Sequence, residues 1–250
     1  MAGHSKWANI KHRKARQDAV KGKAWSKCSR AIMAAVRGSG DPDPDTNLKL
    51  RYAIEDAKSV NMPKDTIKKA IDKAAGAGND GVVFQEVRYE GYAAGGVAIL
   101  VDCLTENVQR TAPIIRHAFD KHGGNMAKNG AVSFGFQAKG VILIESGKTD
   151  EEQLMEVALE AGADDIVEND GGFEVTTEPG AFIMVKDAVD AAGIETLSAE
   201  LTMVPDTNVS CDAALAGKVL KLIDAIEEQD DVQKVHTNAD IPEEVLASLD

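Results

Sequence analysis

The chain has 250 residues, of which 44% are hydrophobic and 28% charged, and its net charge is −13. This length suits one large domain or two to three small ones. Only 4% of the residues are aromatic, which disfavours a base-binding platform built from many exposed rings. The three cysteines lie far apart and form no Cys-x-x-Cys pair, so neither a disulfide framework nor a zinc site is expected. No apolar run approaches the roughly 18 residues of a membrane span, and we expect a cytoplasmic protein without a membrane partner.

The charge is divided unevenly along the chain. Residues 1–75 carry 17 Lys and Arg against 8 Asp and Glu, a net charge of +9, whereas residues 76–250 carry a net charge of −22. A long positive stretch with few acids adds little to self-folding, but it can neutralise phosphates and release their counterions. The basic part therefore predicts nucleic acid, either DNA or ribosomal RNA, as a partner. The acidic remainder is free to meet the ribosome or another protein.

The first 75 residues predict an arm followed by a helical domain. Residues 1–22 are basic with few large apolar side chains, which favours a flexible arm. Apolar spacing predicts three helices within residues 23–75: one over 23–37, one from about residue 50 to 60, and one with Pro63 in its first turn. The segment 41–45 is expected to form a turn that caps the second helix.

Basic side chains continue from the arm along one face of the first helix, opposite its apolar face. A solvated charged face is the alternative interpretation of this pattern. Trp7 is unusual in a free arm and could stack on a base or dock on a surface. The candidate nucleic-acid-binding residues are His4, Lys6, Trp7, Lys11, His12, Arg13, Lys14, Arg16, Lys21, Lys23, Lys27, Arg30 and Arg37.

A glycine-rich segment over residues 76–81 is predicted to be a linker. It contains the pattern G-x-G-x-x-G at Gly76, Gly78 and Gly81. A dinucleotide-binding loop must follow a strand and open a helix, whereas this one follows a helix and precedes a strand. We therefore interpret it as a hinge and expect no cofactor. The histidines and acidic residues form no metal-ligand spacing or catalytic pair, so neither a metal site nor an enzyme is predicted.

Beyond the linker the pattern becomes α+β. Strands are predicted over 82–90 and 97–103, a helix from near Thr111, and a short strand over 131–136. Residues 137–204 follow the order βαββαβ, which is the ferredoxin-like unit. A helix over 211–228 and a strand over 232–236 can complete the first sheet. We therefore predict an α+β multidomain fold: an N-terminal three-helix domain followed by two α/β domains, with the ferredoxin-like unit (137–204) inserted in a middle domain (82–136 plus 205–240), and a C-terminal tail (241–250).

The loop over residues 122–130 joins a predicted helix to a predicted strand and has two interpretations. It can be a helix C-cap followed by a turn. Alternatively, its backbone N–H groups can bind an anion or a partner, in which case Gly123, Gly124, Asn125 and Lys128 are the candidate residues.

Several motifs resemble the YebC/PmpR family. The most specific is the opening, residues 1–14, which reads MAGHSKWANIKHRK. Further matches are Tyr89-Glu90-Gly91-Tyr92, Arg116-His117-Ala118-Phe119, His122-Gly123-Gly124-Asn125, Glu160-Ala161-Gly162-Ala163 and Asp231-Val232-Gln233 with Asn238. The resemblance implies a helical N-terminal domain plus two α/β domains. It also implies a regulator of gene expression, because bacterial members are described as DNA-binding transcriptional regulators. Similar proteins act in translation, including a mitochondrial activator of cytochrome oxidase subunit synthesis.

Together these patterns predict a non-enzymatic, nucleic-acid-binding regulator of gene expression. The first hypothesis is a DNA-binding transcriptional regulator, and the second is a translation factor that contacts ribosomal RNA. An enzyme with a pocket between the α/β domains is a third hypothesis, which the lack of a catalytic constellation disfavours.

Overall fold

The computed structural model describes residues 21–76, 83–169 and 171–248. The helical domain comes first in this part of the chain. Its helices are α1 (Lys21–Ser39), α2 (Leu48–Ser59) and α3 (Lys64–Ala75). Their apolar faces meet in one core, which includes Ile32, Val36, Leu50 and Ile67. The cap of α2 is Asn47, whose side chain accepts a hydrogen bond from the Leu50 N–H. The prediction that segment 41–45 provides this cap was wrong, because Asn47 lies one position before the helix, where a side-chain oxygen reaches the free N–H groups.

The middle domain is a four-stranded sheet covered on one face by two helices. Strands β1 (Gln85–Tyr92), β2 (Ala98–Thr105), β3 (Asn125–Met126) and β9 (Val232–Thr237) lie in the order β3-β1-β2-β9. Helices α4 (Val108–Lys121) and α7 (Ala213–Glu227) pack on this sheet through a shared apolar core. The pair β8 (Val209–Ser210) and β10 (Ala239–Asp240) is parallel, and the short helix α8 (Glu243–Ala247) follows. Ile241 and Leu246 are buried in the same core, although sequence alone placed them in a tail.

The inserted domain has the predicted ferredoxin-like order. Its elements are β4 (Phe136–Glu145), α5 (Glu151–Glu160), β5 (Asp165–Asn169), β6 (Gly172–Thr177), α6 (Phe182–Ala191) and β7 (Ser198–Pro205). All its strand pairs are antiparallel in the order β5-β6-β4-β7, and α5 and α6 share the apolar core of one face. Phe136 and Pro205 are register partners, so the chain enters and leaves this domain at one point. The predicted fold class is thereby confirmed.

Two further element predictions were wrong. Helix α4 begins at Val108 rather than near Thr111, because the side chain of Asn107 accepts the Arg110 N–H at 3.0 Å and caps the helix earlier. Pro113 consequently lies inside the helix. The predicted strand over 131–136 is instead a loop with a 3₁₀ turn at Ser133–Gly135. A carboxylate from β1 holds this loop, as described below.

Candidate nucleic-acid interface

The basic face of α1 is directed at the C-terminal end of α7. Lys23 donates a hydrogen bond to the Glu228 carbonyl, and the Lys27 ammonium donates to the Glu227 carbonyl at 2.8 Å. One turn further along α1, Arg30 donates to the Asp230 carbonyl at 2.8 Å. Three of the predicted nucleic-acid-binding cations therefore bind the main chain of the middle domain in this conformation.

This arrangement follows from the electrostatics of helix ends. The last carbonyls of a helix have no partner within the helix, and the helix dipole places partial negative charge there. The α1 cations donate hydrogen bonds to these carbonyls and bring positive charge to the negative end of the dipole. Burial lowers the pKa of Lys27, and the neighbouring Glu227 carboxylate acts in the opposite direction.

The Asp231 carboxylate joins the helical domain to the middle domain. It accepts hydrogen bonds from Arg30 at 2.8 Å, Arg110 at 2.8 Å, and the Thr111 hydroxyl at 2.7 Å. Burial raises the pKa of Asp231, but the hydrogen bonds from Arg110, Thr111 and the Thr105 hydroxyl outweigh it and hold the pKa below its ordinary value. Asp231 is therefore an ionised group between two arginines. Sequence reasoning missed its role, because residue spacing carries no sign of a contact between segments 200 residues apart.

The helical domain also touches the inserted domain. The Tyr52 hydroxyl donates to the Pro179 carbonyl at 2.9 Å, and Lys186 pairs with Glu55 at 3.2 Å. Helix α2 thus holds the helical domain against the inserted domain while α1 holds it against the middle domain.

The remaining candidate residues of the basic part are placed as follows. Lys21 is the first residue of α1, and Arg37 lies in its last turn. Arm residues His4, Lys6, Trp7, Lys11, His12, Arg13, Lys14 and Arg16 lie outside the described residues. Their assignment to nucleic acid, like that of the α1 cations, stays a prediction.

Helix α3 carries four basic side chains that were not among the predicted site residues. All four are exposed, and none forms an ion pair with another described residue. They are Lys64, Lys68, Lys69 and Lys73. Asp65 and Asp72 are interspersed with them, which hid the excess of lysine in the sequence.

The glycine loop after α4 is held by packing. Gly123 has φ +73°, and the Gly124 N–H donates to the Phe119 carbonyl at 2.9 Å, which closes the helix end. A Cβ at Gly124 would lie 2.8 Å from the Tyr92 carbonyl oxygen. Asn125 then pairs with Tyr92 as part of β3. The left-handed φ thus accounts for Gly123 and close packing for Gly124, whereas Asn125 and Lys128 are exposed and remain candidates for a partner.

The loop over residues 130–133 presents backbone N–H groups, but a carboxylate of the protein itself already binds them. The buried Glu90 carboxylate accepts hydrogen bonds from the N–H groups of Gly130 at 2.7 Å, Val132 at 2.8 Å and Ser133 at 3.0 Å. Burial alone would raise the pKa of Glu90. The three hydrogen bonds have the larger effect and hold the pKa below its ordinary value. The N–H groups are therefore already satisfied.

A cleft of about 1030 Å³ separates the helical domain from the middle sheet. Cys28 and Cys103 line it, and burial raises their thiol pKa values to about 11 and about 12. Both thiols are protonated at neutral pH and are poor nucleophiles. Asp102 is held ionised by His236 and Arg88, which lower its pKa despite burial. Within the described residues, no His, Cys, Asp and Glu cluster has the arrangement of a metal site.

Comparison with known protein families identifies the family to which this architecture belongs. Residues 5–77 match the model of the TACO1/YebC protein N-terminal domain, and residues 84–239 match the model of the TACO1/YebC second and third domain. The chain belongs to the TACO1/YebC family. Residues 78–83 lie between the two matched ranges.

Relatives within the TACO1/YebC family match along their whole length. A protein of Idiomarina loihiensis and one of Pseudomonas aeruginosa are each 51% identical, with 100% of both chains covered, and both are named "Probable transcriptional regulatory protein". The crystal structure of a conserved hypothetical protein from Aquifex aeolicus has a TM-score of 0.77 and 43% identity, covering 91% of this chain and 93% of that one. Among the described helices of this TACO1/YebC member, none is long and apolar enough to cross a membrane.

Proposed function

We propose that this chain is a non-enzymatic, DNA-binding transcriptional regulator that contacts phosphates through its basic N-terminal part. The observation that carries the proposal is the division of charge, +9 over residues 1–75 and −22 over the remainder. An acidic body is repelled by nucleic acid, so the basic part must supply the attraction. The names of the relatives support a role in regulating gene expression.

The arm and α3 are the parts of the basic region best suited to this role. The α3 lysines are exposed and unpaired among the described residues, and the arm adds five basic residues within its first 16 positions. In contrast, Lys23, Lys27 and Arg30 are engaged by α7. A substitution on α1 would change both domain docking and charge, so the arm offers the cleaner test.

A ribosomal-RNA-associated translation factor is the second candidate. The exposed face of α3 carries lysines and aspartates rather than the Asn, Gln and Arg side chains that typically read base edges. Lysines that contact phosphates position a protein without specifying a sequence. This face favours recognition of shape or backbone, which suits ribosomal RNA as well as DNA.

The first prediction is that the arm sets the salt dependence of binding. Changing Lys11, Arg13, Lys14 and Arg16 to Gln should reduce the slope of log affinity against log salt on duplex DNA by about 3 to 4, if each residue contacts one phosphate. A salt titration by fluorescence anisotropy measures the slope. A matched control changes Lys121, Lys148, Lys218 and Lys221 to Gln, which alters the net charge equally but lies in the acidic part.

Equal slopes for the arm variant and the wild type would contradict the proposal, as would equal losses in the arm variant and the control. Repeating the titration on ribosomal RNA fragments compares the two ligands. Sequencing nucleic acid crosslinked to the protein in cells then separates the two candidate functions, since promoter DNA supports the first and ribosomal RNA the second.

A further inference from the structure

Phe134 is the most exposed large apolar side chain among the described residues, with 82% of its surface accessible. It lies in the 3₁₀ turn between β3 and β4, where the chain passes from the middle domain to the inserted domain. A phenylalanine in water contributes nothing to the core. The ring is therefore free to contact a partner.

The backbone that carries Phe134 is fixed on both sides. Glu90, which is only 4% exposed, accepts the N–H groups of Val132 and Ser133, and the Gly135 N–H donates to the Val132 carbonyl at 3.1 Å. The Val132 side chain is buried against Ala98 and Leu100. A group held in place before binding loses less conformational entropy when it binds. The loop thus presents a preorganised ring.

Further exposed side chains lie in the same loop or are hydrogen-bonded to it. Tyr92 is 36% exposed, and its hydroxyl donates to the Ala131 carbonyl at 2.8 Å. Tyr92 and Phe134 are the only aromatic side chains of the described residues that are classed as exposed. The same loop exposes Asn125, Lys128 and Asn129.

Two rings, two amides and one ammonium are the groups that bind unpaired nucleotides. Aromatic faces stack on bases, amides reach base edges, and a lysine neutralises phosphate. The carboxylates that adjoin the loop are engaged within the protein: Glu90 accepts three N–H groups, and Asp206 accepts a hydrogen bond from the Gln137 amide at 2.7 Å.

We propose that the loop over residues 125–135 binds a single-stranded segment of nucleic acid, with one unpaired base stacked on Phe134 and Lys128 at a neighbouring phosphate. This site rests on the proposed nucleic-acid-binding function and extends it to a second surface, formed by the middle domain. A base in a duplex cannot offer its face to the ring, so the loop selects unpaired nucleotides.

The second prediction tests this stacking with a series at one position. The probe is a fluorescein-labelled, mixed-sequence RNA of about 12 nucleotides, within the range of sizes that single-strand sites cover. Phe134→Ala and Phe134→Leu should each weaken binding about tenfold, whereas Phe134→Trp should retain it, because stacking needs an aromatic face. The salt slope should not change, since stacking releases no counterions. Met184→Ala removes a side chain of the inserted domain that is 59% exposed, and this control should bind like the wild type.

The outcomes separate this site from the general function. Normal binding by Phe134→Ala would overturn the stacking proposal and leave the basic arm's role intact. Retention of affinity by Phe134→Leu would also overturn it, because an apolar protein pocket accepts leucine whereas a base stack does not. If the wild-type chain bound neither RNA nor duplex DNA, the proposed function would fail together with this site. The same series with single-stranded DNA and with duplex DNA establishes which strand type the loop accepts.

Discussion

Glu90 shows how one side chain can decide the shape of a loop. Its carboxylate takes the place that an external anion would occupy, and it fixes the turn that carries Phe134. A buried carboxylate is costly unless its hydrogen-bonding capacity is filled, and three N–H donors meet this requirement. The loop conformation is therefore built into β1 rather than induced by a ligand.

The third prediction concerns this carboxylate. Glu90→Gln should lower the free energy of unfolding by about 2 kcal/mol at pH 7, because an amide NH₂ group would face backbone donors. The Glu90 pKa is depressed in the folded state, so its stabilising effect is complete above the ordinary pKa of about 4.3 and is lost as pH falls through the folded-state value. The difference between wild type and variant should accordingly shrink by pH 3, as measured by urea denaturation.

Glu86→Gln is the matched control on the same strand. Glu86 is 70% exposed and pairs with Lys49 at 3.1 Å, so the change should cost less than about 0.5 kcal/mol. Equal destabilisation by the two substitutions would mean that the Glu90 hydrogen bonds contribute nothing specific.

At the scale of elements, the decisive contact is between α1 and the end of α7. Helix α1 uses its apolar face for the helical core and its basic face for the middle domain, so little of it is left for an external ligand. Charge-assisted hydrogen bonds join the helical domain to the middle domain in space. These bonds hold the helical domain in one orientation.

The fourth prediction is that the α1 cations stabilise this docking. Changing Lys23, Lys27 and Arg30 to Ala should lower the melting temperature of the helical domain, with a loss of about 2 kcal/mol, because the carbonyls at the end of α7 lose charged donors. Hydrogen exchange should quicken in α1 and in the last turn of α7. Changing Lys64, Lys68 and Lys69 to Ala alters the net charge equally on exposed positions. If exchange in α7 quickened as much in that control, the effect would be one of charge and not of docking.

The sequence predicted the helix and both of its faces but not what the basic face binds. Periodicity at residues 23–37 is a local property, and it identified α1 correctly. The partner of Lys27 is a main-chain carbonyl, and every residue has one, so no residue type marks it. The error at 131–136 has a similar origin. The segment resembles a short strand in sequence, whereas the hydrogen bonds that set the backbone come from Glu90, 40 residues or more away.

At the scale of the whole molecule, charge is sorted by domain. The inserted domain, residues 137–204, contains 3 lysines and 16 acidic residues, a net charge of −13. All three lysines are already paired: Lys139 with Asp164, Lys148 with Glu195, and Lys186 with Glu55. This domain therefore repels polyanions, and under the proposed function this repulsion orients the approach of nucleic acid toward the rest of the molecule.

The fifth prediction follows from that repulsion. Replacing the exposed Glu156, Glu160 and Glu168 with Gln should raise the association rate with duplex DNA about two- to fivefold at roughly 50 mM salt. The gain should vanish at about 0.5 M salt, where screening shortens the range of the repulsion. Stopped-flow fluorescence measures the rates. The same positions changed to Asp keep the charge and should leave the rate unaltered; a gain in both variants would point to shape instead of charge.

The contact between α1 and α7 also has a consequence for biosynthesis. Lys27 and its acceptor on Glu227 are 200 residues apart, so the two ends of this contact leave the ribosome at different times. At about 5–20 residues per second, the delay is on the order of 10–40 s. During that interval a nascent α1 displays its cations while the helix end that will neutralise them has yet to be made.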